Sequence, residues 1–429
     1  MARVHLSSQQ KKWALVILSK YSRFLVRPEP LGVIKVSSLV RTLRILGTRG
    51  IPAAHGGFET FAEHLALHLV AQGWRVVVYC QEDGAGSLFE DVWEGVERIR
   101  IPVSQTGSKG TVIFDWKATV HAAKFGDLCL TLGYNTAIFC GLLRLKGIPN
   151  LINMDGIEWS RIKWGRCAKI WFWLNDWLGC WLGNHLVADH PQIKAHLQSR
   201  VAASKITTIP YGADSVTAAP LEPVHALGLE PGRFLTVIAR AEPENSILEI
   251  VQGFSLKPRG YQLVVLGNFE QNNAYHQSVL SAASGEVKFV GAIYDKAIVQ
   301  ALRFHSAVCV HGHQVGGTNP SLVEAMGAGN PVVAHDNRFN RWVAGNGAVY
   351  FYGAEDFSRV MDELLVSPST LADLRQHGLS RFHELFTWPD VLMQYERLLE
   401  RFLPMANSSA EAPLEKTEKG SLLPKNKNQ

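Results

Sequence analysis

Leu43-Arg44-Ile45-Leu46-Gly47-Thr48-Arg49-Gly50-Ile51-Pro52-Ala53-Ala54-His55-Gly56-Gly57 is the stretch that decides how the chain is read. Leu43-Arg44-Ile45-Leu46, three of the four apolar, reads as a short buried strand, and Gly47 ends it. A glycine-rich loop follows. Phe58, Phe61, Ala62, Leu65, Leu69 and Val70 then recur at helical spacing, Gly73 closes the helix, and residues 74–80 (Trp-Arg-Val-Val-Val-Tyr-Cys) form the next strand. Strand, loop, helix and strand in this order make a βαβ unit.

The same alternation continues along the chain. Strands are predicted near 98–103, 127–132, 151–154 and 185–188, with a helix over 135–146. After a segment rich in Ala, Pro, Glu and Gly a second series begins, with strands over 234–239, 262–266, 287–290, 307–310 and 331–334. Val/Ile-rich strands separated by helices imply parallel sheets covered on both faces. The fold class is therefore α/β, with two Rossmann-like doubly wound domains facing a cleft. The expected division is a basic extension over 1–40, a first domain over 41–215, a linker over 216–232, a second domain over 233–387, a helix over 388–404 and a disordered tail over 405–429. Ligands of such folds sit beyond the carboxyl ends of the strands, and the cleft between two domains is the default site.

Composition narrows the function classes. The chain has 429 residues, 47% hydrophobic and 19% charged, enough for two cores and too apolar for a disordered chain. No run of about 18 apolar residues occurs, so no transmembrane helix is predicted. The net charge of +5 is concentrated: the first 50 residues hold ten Lys/Arg and one acid, leaving the rest at −4. The body is not expected to bind nucleic acid. The leader reads as a contact for an anionic membrane or as a solvated extension. The six cysteines form no Cys-x-x-Cys pair, as expected of a reduced, cytoplasmic protein, with a peripheral place on the inner face of the cell membrane left open. Neither His311-x-His313 nor His64 with His68 offers a metal-ligand set, so no metal is expected.

Two loops can hold an anion. Gly56 and Gly57 stand at a helix start, where backbone amides and the helix dipole favour negative charge, although a plain tight turn reads the same. Gly316-Gly317-Thr318 precede Asn319, a good helix cap, and Pro320, a good first helical residue. Glu324 lies one turn further, where it can accept from a ribose diol or simply be solvated. Arg240 ends the first strand of the second domain and can clamp a phosphate or make a surface ion pair. Asp155 and Glu158 sit at a strand end in the first domain and can orient an acceptor hydroxyl, or Asp155-Gly156 can be a turn. Six tryptophans (159, 164, 171, 173, 177 and 181) lie among Arg161, Lys163, Arg166 and Lys169. They make either a membrane-interface face or a packed one.

These residues resemble glycosyltransferase family 4 of the GT-B fold. The resemblance covers roughly residues 42–403. It rests on the two-domain plan, the Gly-Gly-x-Glu pattern at Gly56-Gly57-Phe58-Glu59, Ile209-Pro210-Tyr211-Gly212-Ala213-Asp214, the run from Leu322 to Ala334, and Phe386-Thr387-Trp388 with its amphipathic helix. With Asn153 to Trp159 and Glu242-Pro243-Glu244-Asn245, the chain is similar to a bacterial rhamnosyltransferase subgroup acting on surface polysaccharide precursors.

The resemblance implies a retaining enzyme that takes a nucleoside diphosphate sugar, uses no catalytic metal or other cofactor, and passes the sugar, rhamnose in the subgroup, to a lipid-linked or oligosaccharide acceptor. It implies donor contacts at Gly56, Gly57, Arg240, Ile293, Tyr294, Gly317, Thr318, Asn319 and Glu324. Glu59, Asp155 and Glu158 fall on the acceptor side, and Asp155, Arg240 and Glu324 carry the catalytic roles. Three positions depart from the family pattern. Gly316 stands where a first glutamate is usual, Asn245 where a lysine is usual, and Asp155 where a histidine is usual. Two other classes remain in view: a non-catalytic nucleotide-sugar-binding protein, and an oxidoreductase. The second lacks a dinucleotide fingerprint in either half, with only Glu82-Asp83 after the second strand in its favour.

Overall fold

The computed structural model describes residues 41–54 and 56–403. The expectations for the leader over 1–40 and the tail over 405–429, and His55 in the glycine-rich loop, lie outside the described residues.

Two sheets organise the chain. The first has eight strands: β1 (Thr42–Leu46), β2 (Arg75–Asp83), β3 (Phe89–Trp93), β4 (Val96–Val103), β5 (Leu128–Leu132), β6 (Asn150–Asn153), β7 (His185–Ala188) and β8 (Ile206–Thr208). Their order is β3-β4-β2-β1-β5-β6-β7-β8, parallel except for the β3–β4 pair. The second has six: β9 (Phe234–Ile238), β10 (Gln262–Leu266), β11 (Val287–Gly291), β12 (Val308–His311), β13 (Val332–His335) and β14 (Ala348–Phe351), ordered β11-β10-β9-β12-β13-β14 and parallel throughout.

Both orders reverse direction once, beside β1 in the first sheet and beside β9 in the second. Where neighbouring crossovers leave to opposite faces, the loops at the carboxyl ends part and leave a crevice. The glycine-rich loop after β1 and the Arg240 loop after β9 are therefore both at switch points.

Each sheet is covered on both faces. Phe61, Leu65 and Leu69 of the helix Gly57–Ala71 pack on Leu43, Ile45, Val76 and Val78, while Phe114, Ala118 and Ala122 cover Val77 and Tyr79 on the other side. In the second lobe, Ile250, Val251 and Phe254 cover one face and Leu322, Val323 and Met326 belong to another core cluster. Arg44 is an exception inside a buried strand. Its guanidinium is paired with Asp127 at 2.7 Å and lies 3.8 Å from the Phe125 ring centroid. A buried charge needs such a partner.

The strand alternation read from sequence is present, with three additions. β3 pairs antiparallel on the outer edge, and its charged, exposed residues carry no strand-like apolar run. β8 and β14 have only three and four residues. The helix expected over 135–146 is a 3₁₀ turn, Ala137–Phe139, followed by the shorter helix Cys140–Leu145. Within the linker a short helix forms at Glu222–Ala226.

The last helix, Trp388–Glu400, returns to the first lobe. Val391, Leu392, Tyr395, Leu398 and Leu399 join the core that contains Phe61 and Leu65. The chain therefore crosses between lobes twice, and the two crossings run side by side: the Ala213 amide donates to the Phe386 carbonyl at 2.8 Å. Gly212 is needed there, because a Cβ would stand 2.5 Å from the Trp388 ring.

Candidate active site

A cleft of about 1040 Å³ lies between the lobes, with its walls drawn from both switch points. That is at the upper end of the range for ligand sites, roughly 300–1,000 Å³. The lobes touch across it. A Cβ on Gly57 would come within 3.3 Å of Pro320, and one on Gly156 within 3.5 Å of Gly316. Arg161 of the first lobe, which also holds Glu158 at 2.7 Å, pairs with buried Glu244 of the second at 2.9 Å.

From the first lobe, Gly56 and Gly57 line the cleft at the start of the helix Gly57–Ala71. Glu59 does not. It is 7% exposed on the inner side of that helix, and its carboxylate bends back toward Gly56. Asp155 lines the cleft beyond β6 with φ of +53°, a left-handed conformation that only a short polar side chain adopts easily. Its amide donates to Asn153 Oδ1 at 3.0 Å, and Asn153 in turn donates to the Tyr395 hydroxyl at 2.9 Å. The returning C-terminal helix thus braces the Asp155 turn. Burial, and then the charge of Glu158, push the Asp155 carboxyl above the usual range. Glu158 is held in place by its own amide on Tyr134 Oη, by Arg161 and by Trp164 Nε1 at 3.1 Å.

From the second lobe come Arg240, Ile293, Tyr294, His313, Thr318, Asn319 and Glu324. Arg240 follows β9, and no carboxylate among the described residues is within ion-pair distance of it. Asn245 does not reach the cleft. It is buried and donates to the Arg240 carbonyl at 2.8 Å, fixing the loop that carries the guanidinium. Glu324 is not simply solvated: it pairs with Arg303 Nη2 at 2.5 Å. Asn319 caps the helix Pro320–Gly327 by accepting from the Ser321 amide at 3.1 Å. Tyr294 projects outward and is largely exposed.

The Gly316-Gly317-Thr318 cradle is already occupied by a protein carboxylate. Asp189, one residue beyond β7, accepts from the Thr318 amide at 2.9 Å, and its carbonyl accepts from the Thr318 hydroxyl. A Cβ on Gly317 would collide with that carboxylate, so glycine is what admits it. The other oxygen, Asp189 Oδ1, is shut from solvent and has no partner. Burial, with a contribution from Asp155, pushes the Asp189 carboxyl up to about 7.

Asp189, Lys163 and His313 are among the lining residues whose place sequence reasoning missed. Asp189 stands at a strand end, which was the available signal. His313 was read only as a weak metal candidate. Burial, and then the charges of Arg240 and Arg161, push the pKa of its ring down to about 3, and Nδ1 has no partner. His64 stacks on Trp388 with centroids 4.4 Å apart, and His68 pairs with Glu396 at 2.9 Å. Glu82, which with Asp83 is the feature favouring an oxidoreductase, pairs with Arg100 at 2.5 Å.

Outside the cleft, the helix Arg166–Leu182 turns Asn175, Asp176, Gly179 and Cys180 inward. Trp173 and Trp181 stay 45% and 56% exposed, beside exposed Ile162, Ile170 and Leu174. An open groove of about 500 Å³ lined by Trp159, Ser160, Lys169, Ile170 and Trp173 runs along this face. No helix among the described residues is long and apolar enough to cross a membrane.

Comparison with known proteins agrees with this architecture. Residues 226–381 match the family Glycosyl transferases group 1, and residues 40–214 match a domain of unknown function, DUF1972. No curated protein gives a significant match. Among solved structures, sucrose-phosphate synthase from Thermosynechococcus elongatus is 17% identical with a TM-score of 0.70, over 84% of this chain and 98% of that one. HepE of Anabaena, solved with UDP and glucose, is 15% identical with a TM-score of 0.67, over 84% and 99%. A trehalose-6-phosphate protein of E. coli bound with UDP-2-fluoro glucose is 11% identical with a TM-score of 0.64, over 85% and 100%. The chain thus has the GT-B fold, its first lobe matching a DUF1972 domain and its second a glycosyltransferase group 1 domain.

Proposed function

We propose that the protein is a retaining glycosyltransferase that moves a sugar, rhamnose, from a nucleoside diphosphate sugar to a lipid-linked or oligosaccharide acceptor in the synthesis of a surface polysaccharide. The observation that carries the reading is Arg240: a guanidinium without a carboxylate partner, at a switch point of the group 1 domain, facing Asp155 across a cleft large enough for a sugar nucleotide. Solved structures with the same fold hold UDP and UDP-glucose, which supports a nucleotide-sugar donor.

In this reading the bond from the anomeric carbon to the β-phosphate oxygen breaks, and its electron pair leaves on the diphosphate. Arg240 and the amino end of the helix Pro320–Gly327 stabilise that charge. The acceptor hydroxyl oxygen bonds to the anomeric carbon on the same face, and its proton passes to the departing phosphate oxygen. Asp155 orients the hydroxyl. Glu324, steadied by Arg303, holds the ribose.

The exposed tryptophans and the groove beside Trp159 support a lipid-linked acceptor and docking on an anionic membrane. Trp side chains favour the interface, and the helix that presents them carries Arg166 and Lys169 with its one acid, Asp176, turned inward.

The test is a panel of dTDP-rhamnose, UDP-glucose and GDP-mannose offered to the full chain with a lipid extract as acceptor. Acceptor-dependent release of nucleoside diphosphate is expected, fastest with dTDP-rhamnose. Faster use of another donor defeats the rhamnosyl assignment. If no nucleoside diphosphate raises the melting temperature, the whole reading fails.

A further inference from the structure

Six lysine and arginine side chains line the cleft: Arg49, Arg161, Lys163, Arg240, Lys296 and Arg303. Three have their own counter-charges. Arg161 is shared by Glu158 and Glu244, Lys296 holds Asp214 at 2.6 Å, and Arg303 holds Glu324. Among the described residues, no carboxylate lies within ion-pair distance of Arg49, Lys163 or Arg240.

Lys163 and Arg240 come from opposite lobes. Lys163 stands in the loop between Glu158–Ser160 and the helix Arg166–Leu182. Its ammonium lies 4.9 Å from the Trp164 ring centroid. Trp164 is itself fixed, by its indole bond to Glu158 and by Phe172 at 5.1 Å between centroids. The lysine is therefore presented to the cleft rather than free to swing away. Burial, and then the charges of Arg240 and Arg161, hold its ammonium below the usual lysine range. Two like charges brought together by facing lobes cost energy unless an anion lies between them.

We infer that Lys163 binds the donor's diphosphate from the first lobe, opposite Arg240, so that the anion itself joins the lobes across the cleft. This rests on the reading of the cleft as a nucleotide-sugar site. The two cations differ in kind: a planar guanidinium suits two oxygens of one phosphate, while an ammonium acts as a point charge that can follow the second.

The experiment is calorimetric titration of the full chain with UDP, dTDP and GDP and with the corresponding monophosphates, for wild type, Lys163→Ala and Lys163→Arg. Lys163→Ala is expected to weaken binding of the preferred diphosphate about tenfold while changing its monophosphate less than twofold, and Lys163→Arg to restore most of the loss. A merely structural role would weaken both nucleotides alike. Equal diphosphate affinity in wild type and Lys163→Ala, or parallel loss of both nucleotides, overturns the assignment while leaving the nucleotide site standing. Failure of the wild type to bind any of the six nucleotides overturns the site and the assignment together.

Discussion

Asp189 and Thr318 tie one lobe to the other: the Thr318 amide donates to Asp189 Oδ2 at 2.9 Å, with the second carboxylate oxygen shut from solvent and without a partner. The Asp189 carboxyl is raised to about 7 by burial and by Asp155. In the unfolded chain it titrates near 4. Between about pH 4 and pH 7 the folded state therefore holds a proton that the unfolded state has released, and stability falls as pH rises through this window. Asp189→Asn is expected to flatten that slope and to gain on wild type by about 1 kcal/mol or more at pH 8. Urea unfolding at pH 5 and pH 8 checks it. An unchanged slope in the variant would show that Asp189 does not carry the dependence.

Arg240 is the cation placed on the leaving group. Arg240→Ala is expected to lower turnover on the order of 100-fold or more, with the fold intact because the side chain is exposed and unpaired. Turnover within a few-fold of wild type in the purified variant would remove Arg240 from the reaction.

Glu324 serves both stability and binding. Its partner Arg303 has a side chain only 7% exposed, so Glu324→Ala leaves a nearly buried guanidinium without its carboxylate. A loss of about 1–3 kcal/mol is expected, discounted because Glu324 itself is partly exposed. Glu324→Gln keeps a hydrogen-bond acceptor and is expected to lose less. Thermal unfolding ranks the two variants, and an alanine variant as stable as wild type would mean that Arg303 is satisfied elsewhere.

Trp173 and Trp181 are the test of membrane docking. The double change Trp173→Ser and Trp181→Ser is expected to reduce flotation with anionic vesicles at least tenfold and to leave nucleotide affinity unchanged. Wild-type flotation that is absent, or unaffected by the change, removes the membrane from the proposal.

The sequence by itself determined the alternation of strands and helices, because an apolar period of two or 3.6 residues and glycine at turns are local properties. It also placed Gly56, Gly57, Arg240, Thr318, Asn319 and Glu324 at strand ends and helix starts, and these residues all line one cleft. It did not reveal the edge strands β3, β8 and β14, of which β3 carries two acids and β8 has only three residues. Nor did it reveal that Asp189 fills the Gly317 cradle, that Arg303 holds Glu324, that Asn245 braces the Arg240 loop from behind, or that Trp388–Glu400 returns to support Asp155 through Tyr395 and Asn153. Those are pairings between residues up to 242 positions apart. No local period encodes them: Asp189–Thr318 and Asn153–Tyr395 need the lobes and the returning helix to pack together, and Arg303–Glu324 and Asn245–Arg240 need the packing of the second lobe.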